Sequence, residues 1–134
     1  MKFLEDVLLL QSPIDKLKED RVGFLNDAMG AFIRRIPFQS VTAIGTPKTE
    51  RRRLTFGEVK VTMMTRQGGL CFELNLFFKV LLETLGFEVY HVGFNALGKL
   101  NSHLATVVRS LARPGDLYLV DVGSGYALFR PIYR

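Results

Sequence analysis

The run Gly68-Gly69-Leu70-Cys71-Phe72-Glu73-Leu74-Asn75 opens the most regular element of the chain, which continues through Leu76-Phe77-Phe78-Lys79-Val80-Leu81-Leu82-Glu83-Thr84-Leu85 to Gly86. Leu74, Phe77, Phe78, Leu81, Leu82 and Leu85 fall on one broad apolar stripe, which predicts a largely buried helix over 71–85 with Gly86 as its C-terminal stop. The glycine pair lets the backbone approach a ligand closely, and Cys71 starts the helix instead of lying in its stripe. A thiol in a first helical turn meets the positive end of the macrodipole and unpaired backbone N–H groups, both of which favour thiolate. Cys71 is the only cysteine in 134 residues. It is the candidate nucleophile, and a small buried core residue is the competing reading.

The hydrophobic period changes across this helix. On its N-terminal side, Ile14, Leu17, Leu25, Met29, Phe32, Ile33 and Ile36 recur mostly at three- and four-residue spacing, which predicts helix from Pro13 to Ile36. Ser12 is expected to cap it with Pro13 at the first helical position, Gly23 to divide it, and Pro37 to end it. The stretch 38–48 is expected to be loop. The stretch 54–64 fits neither period well and is read as a short helix. On the C-terminal side, 87–94, 103–110 and 117–122 read as strands, joined by polar and glycine-containing connections at 95–102 and 111–116. Helices first and an antiparallel meander after them imply an α+β protein with a helical part over 1–86 and a β part over 87–134.

Composition sets bounds on function. With 48% apolar residues, eleven Phe and 23% charged residues, the chain is globular and not disordered. A single cysteine makes no internal disulfide, and Met1-Lys2-Phe3-Leu4-Glu5-Asp6 puts acids where a signal peptide would be basic and apolar, so a cytoplasmic location is expected. No apolar run approaches the ~18 residues of a bilayer span, and no membrane partner is expected. The net charge of +5 favours an anionic ligand such as a phosphorylated cofactor. The one dense basic run, Arg51-Arg52-Arg53, lacks interleaved aromatics, so it is read as a solvated loop and nucleic acid is not expected.

A cysteine nucleophile needs a base and usually a third group that orients the base. Of two histidines, His103 opens a strand and Asp121 closes the next one. If the hairpin centres near Ala112 or Arg113, Asp121 lies opposite or diagonal to His103 on the same sheet face. His91, the other candidate base, has no acid following at strand spacing. Asp116 competes for the acid role but falls in Pro114-Gly115-Asp116, where aspartate usually serves turn geometry.

Taken together, Ile36-Pro37-Phe38-Gln39, Gly68-Gly69-Leu70-Cys71-Phe72-Glu73-Leu74-Asn75, Ser102-His103-Leu104 and Tyr118-Leu119-Val120-Asp121-Val122-Gly123-Ser124-Gly125 resemble the arylamine N-acetyltransferase family, in the family's order. The resemblance implies a cysteine-protease-like core, with helices followed by a partial β-barrel. It also implies a Cys71-His103-Asp121 triad that takes an acetyl group from acetyl-CoA as a Cys71 thioester and passes it to an arylamine, hydrazine or arylhydroxylamine. His103 would form an ion pair with Cys71 and shuttle protons, Asp121 would orient His103, and the Cys71 N–H would serve the oxyanion. The turn Gly123-Ser124-Gly125 resembles the loop near the CoA pyrophosphate, and no metal is required.

The chain departs from the family pattern in several places. Gln39 and Gln67 stand where the family usually has a glutamate and an arginine, which a Gln–Gln hydrogen bond would replace, or Arg66 would slide into the role. Ser124 replaces an aromatic residue. Family members continue past the aspartate into more barrel strands and a lid-like domain, so a chain ending at Arg134 is expected to be a truncated product or fragment, self-associating through the strand-like segment 126–134. A thiol hydrolase and an inactive remnant with a binding role are the competing functions.

Overall fold

The computed structural model describes residues 2–96, 98–124 and 128–131. Its main elements are α1 (Pro13–Glu19), α2 (Arg21–Arg35), α3 (Val41–Gly45), α4 (Phe56–Met64), α5 (Cys71–Thr84), β1 (Glu88–Ala96), β2 (Lys99–Arg109), β3 (Leu117–Asp121) and β4 (Leu128–Pro131). The fold is α+β, helices first and an antiparallel sheet after them. The sheet runs in the order β1-β2-β3-β4, as a meander produces.

The first helical stretch is divided at Asp20 and not at Gly23. Asp20 caps α2 by accepting from the Gly23 N–H at 2.9 Å, and a Cβ at Gly23 would come within 2.1 Å of that carboxylate. Gly23 is therefore the residue the cap closes over. Ser12 does not cap α1: its backbone is left-handed (φ 44°) and its side chain makes no cap bond, although Pro13 does hold the first position. Pro37 ends α2 as expected, with Ile36 extended (φ −111°, ψ 110°).

Two regions are more ordered than their sequence suggests. The stretch expected as loop contains the short α3, and Phe38 forms a parallel bridge with Gly69. Near the N-terminus, Phe3–Val7 forms a π-helical turn whose Phe3, Leu4 and Val7 are buried. One turn is too short to show a period, and its anchoring is long-range: the Phe3 ring packs edge-on to Phe77 of α5 at 4.7 Å.

The stripe of α5 is the centre of the core. Leu74, Phe78 and Leu82 are fully buried, against Phe24, Leu25 and Phe32 of α2, Val59 and Met63 of α4, and Val108 and Val120 of the sheet. The ambiguous 54–64 stretch resolves as helix because Thr55 and Glu58 form a reciprocal capping box, Thr55 N–H to Glu58 at 2.8 Å and Glu58 N–H to Thr55 at 3.3 Å. Gly86, at φ +86°, terminates α5.

The connection expected over 95–102 is mostly strand. β1 extends to Ala96 and β2 begins at Lys99, with Phe94 paired to His103 and Ala96 to Lys99 across an irregularity between them. The next connection behaves as expected: Asp116 accepts from the N–H groups of Leu111 (2.7 Å), Ala112 (3.0 Å) and Arg113 (2.8 Å) and closes the turn. Partial desolvation pushes the Asp116 pKa up, but these donors outweigh it and the net shift is downward.

Candidate active site

Two local devices place Cys71. The segment after α2 pairs with the segment before α5, through Gly69 N–H to the Pro37 carbonyl (3.2 Å) and Gln39 N–H to the Gly69 carbonyl (2.9 Å). Gly68 makes this possible, since its φ is +75° and a Cβ there would lie 1.9 Å from the Pro37 oxygen. The glycine pair thus serves a close approach between two pieces of backbone. The chain then turns into α5, where Glu73 reaches back to accept from the Leu70 N–H at 3.2 Å. Cys71 is the first residue of the helix, so its own N–H has no intrahelical partner.

β2 and β3 pair with Thr106 opposite Val120 and Val107 opposite Leu119. Extending that register by one residue sets Asp121 beside Ala105 and diagonal to His103, on the same face. The side chains meet: His103 Nε2 lies 2.5 Å from Asp121 Oδ2. Asp121 is 4% exposed and His103 20%, so the carboxylate is the interior member of the pair and the imidazole the member nearer solvent. With Asp121 ionised, Nε2 carries the proton and Nδ1 is left to exchange one elsewhere.

A residue assigned no role from sequence holds these parts together. Asn75, one helical turn beyond Cys71 and fully buried, donates to Asp121 Oδ1 (3.0 Å) and the Leu104 carbonyl (2.7 Å), and accepts from the Val122 N–H (3.3 Å). It therefore ties α5 to the middle of β2 and the end of β3. The available signal was an amide at i+4 from the cysteine within an otherwise apolar buried stripe.

Gly123 closes the arrangement. Its N–H donates to Asp121 Oδ1 at 2.8 Å, and a Cβ on it would come within 2.7 Å of Cys71 Cα and 2.6 Å of Asn75 Nδ2. The end of β3 is thereby pressed against the first turn of α5. Ser124 is partly buried, and Gly125 lies outside the described residues.

Cys71 and His103 line one cleft of about 820 Å³, together with Gly69, Phe72 and Ser102. Arg51, Arg52 and Arg53 line it too, so the basic run is exposed, as read from sequence, but forms a wall of the cleft. Arg52 pairs with both carboxylate oxygens of Glu58 (2.6 and 2.9 Å), whose pKa those bonds hold down to about 2. The Arg53 guanidinium sits 4.6 Å over the Phe72 ring. Gln39 and Gln67 also meet: Gln39 Nε2 donates to the Gln67 backbone carbonyl at 3.4 Å, and both side-chain amides donate to Thr42 Oγ1 at 3.2 Å. Arg66 does not take their place, because it donates to the Asp6 carbonyl at 3.1 Å.

His91 lies apart from this cleft. Its Nδ1 is 3.4 Å from the Ala105 carbonyl and its Nε2 is buried with no partner among the described residues. Burial lowers its pKa against the opposing effect of the Ala105 carbonyl. The ring is half-buried, and its charged form is disfavoured there.

An N-acetyltransferase family model matches residues 21–133. The fold is similar to the solved arylamine N-acetyltransferase of M. tuberculosis, with a TM-score of 0.69 and 25% identity over 93% of this chain and 49% of that one. It is also similar to an arylamine N-acetyltransferase of Bacillus cereus described as having a Cys-His-Glu catalytic triad, with a TM-score of 0.68 and 23% identity over 97% of this chain and 52% of that one. The M. smegmatis enzyme matches at 31% identity and a TM-score of 0.63, over 84% of this chain and 43% of that one. No curated protein matches significantly. The chain spans about half the length of these solved relatives. With the family model covering most of the sequence, the chain belongs to the arylamine N-acetyltransferase family.

Proposed function

We propose that this chain transfers an acetyl group from acetyl-CoA to an aromatic amine or hydrazine through an acetyl thioester on Cys71, with His103 as the base and Asp121 as its orienting acid. The observation that carries the reading is the His103 Nε2–Asp121 Oδ2 contact of 2.5 Å, made by a histidine that shares a cleft with a cysteine at a helix N-terminus. Asp121 fixes the tautomer, so that Nδ1 accepts the Cys71 proton. The thiolate attacks the acetyl carbonyl, the Cys71 N–H is placed at the oxyanion, and CoA leaves as its thiol with the proton from His103. The amine then attacks the thioester, His103 takes its proton, and collapse returns Cys71 as thiolate with the acetyl group now on nitrogen. The cofactor role read for Gly123, Ser124 and Gly125 belongs to this proposal. Because the Gly123 N–H already serves Asp121, Gly123 would act there by shape and not as a donor.

The test is to mix the protein with acetyl-CoA and weigh it intact, with and without an aromatic amine. An acetyl adduct on Cys71, discharged faster by amine than by water, is expected. Equal discharge by water would convert the reading to a hydrolase, and no adduct would overturn it. Asp121→Asn should lower the labelling rate by roughly 10³–10⁴-fold, since an amide facing Nε2 favours the wrong tautomer. Normal labelling of that variant would remove Asp121 from the triad.

A further inference from the structure

Among the described residues, two buried side-chain atoms have no hydrogen-bond partner, His91 Nε2 and Thr106 Oγ1. His91 and Thr106 are direct partners across the β1–β2 ladder, so their side chains share a sheet face with Cβ atoms roughly 4.5–5.5 Å apart. It is the face packed on α5: Val108, two residues along β2 from Thr106, belongs to the same core as Leu74 and Phe78. Thr106 is fully buried, and His91 Nδ1 lies 3.4 Å from the Ala105 carbonyl, so the ring rests beside the peptide that carries Thr106. A carbonyl only accepts, which makes Nδ1 the protonated nitrogen and leaves Nε2 with a lone pair. Burying that lone pair and a hydroxyl without partners carries a desolvation penalty for each, and buried polar groups are as a rule satisfied. Neither residue lines the Cys71 cleft.

We propose that a single ordered water molecule bridges the two atoms, donating to His91 Nε2 and accepting from the Thr106 hydroxyl, as a fixed part of the junction between α5 and the sheet. An acceptor and a donor on facing side chains are what one water joins, and a buried water needs at least two polar partners. An anion is disfavoured by the Nε2 lone pair. A metal cation is disfavoured because Glu83 of α5, the acid that acts on the ring, is held by Lys79. Cys71, Asn75, Lys79 and Glu83 recur at four-residue spacing along α5, so the water sits at the far end of the polar row that begins at the thiol.

A crystal structure of the protein tests this directly. Density for one water is expected roughly 2.7–3.2 Å from both atoms, and its absence, or a direct His91–Thr106 hydrogen bond, overturns the proposal. In solution the test is Thr106→Val, which exchanges the hydroxyl for a methyl group of similar size. If water bridges the pair, this variant strips it of one partner and leaves Nε2 bare, raising the unfolding equilibrium constant by about five- to tenfold in urea titration. If the hydroxyl is bare in the parent chain, the variant removes its penalty, so stability that stays level or rises overturns the proposal. With His91→Leu already in place, Thr106→Val should have little effect, because the water has lost its other partner. An undiminished cost in that background would show that the hydroxyl is not linked to His91, and would likewise overturn the bridge.

Discussion

Asn75 shows how one buried amide can join three segments at the site. An amide supplies donors for Asp121 and the Leu104 carbonyl and an acceptor for the Val122 N–H, a set that no carboxylate or aliphatic residue reproduces. Asn75→Leu leaves the buried Val122 N–H without its Asn75 acceptor and takes a donor from the Leu104 carbonyl and from Asp121. It should destabilise the fold by about 2–5 kcal/mol in urea unfolding, from roughly 1–3 kcal/mol per orphaned group, and reduce Cys71 acetylation with it. Unchanged stability would mean that the amide is not the link described here. Gly123 acts at the same scale by lacking a side chain. Gly123→Ala places a methyl group 2.7 Å from Cys71 Cα, and because that neighbour is backbone the strain cannot be relieved by a rotamer. A loss of about 1–3 kcal/mol is expected. Its acetylation rate should fall by more than the folded fraction does, and a rate that tracks folding alone would show that the contact does not position the thiol.

At the scale of elements, the bridge between Phe38 and Gly69 fixes the loop that leads into α5. Its weak point is Gly68, where a Cβ would meet the Pro37 carbonyl oxygen at 1.9 Å and the φ of +75° is itself unfavourable to other residues. Gly68→Ala should break the bridge while leaving α5 in place, because the helix is held by its buried stripe. The expected signature is rapid hydrogen exchange at Gln39 and Gly69 with protection retained at Phe77 and Leu81 in the helix, read by mass spectrometry of peptides. Retained protection at Gln39 would show that the pairing tolerates a side chain. The helices themselves were legible because their stripes are long: the five residues Leu74, Phe77, Phe78, Leu81 and Leu82 are all buried in the structure. Boundaries were less legible, since Ser12 and Asp20 are both good capping residues by type and only the chain geometry distinguishes them.

For the whole molecule, the packing of the sheet against α5 gives folding a pH dependence through His91. Burial lowers its pKa from the usual 6.5, with the Ala105 carbonyl and Glu83 opposing this shift and Lys79 adding to it. The unfolded chain therefore binds a proton near pH 6.5 that the folded chain declines. Stability from this residue is fully present above that pH and is lost as pH falls toward the lowered folded value. His91→Leu, which does not titrate, should show a shallower fall in urea midpoint between pH 7 and 5 than the parent chain. Identical pH profiles would mean that the ring is as well solvated folded as unfolded.

The sequence by itself determined the order of helices and strands, the nucleophile candidate and the His103–Asp121 pairing, because a helical stripe, a glycine stop and a two-residue strand period are local properties. The pairing was legible since parity alone puts two odd-numbered residues of an even-sum hairpin on one face, and the observed partners sum evenly. Tertiary structure alone decided what surrounds them. Asn75 as a link, Gly123 as a contact surface, Thr42 between Gln39 and Gln67, and the arginine wall beside Cys71 each join residues far apart in the chain. Such contacts depend on where separate elements come to rest against a common core, and no local period encodes that.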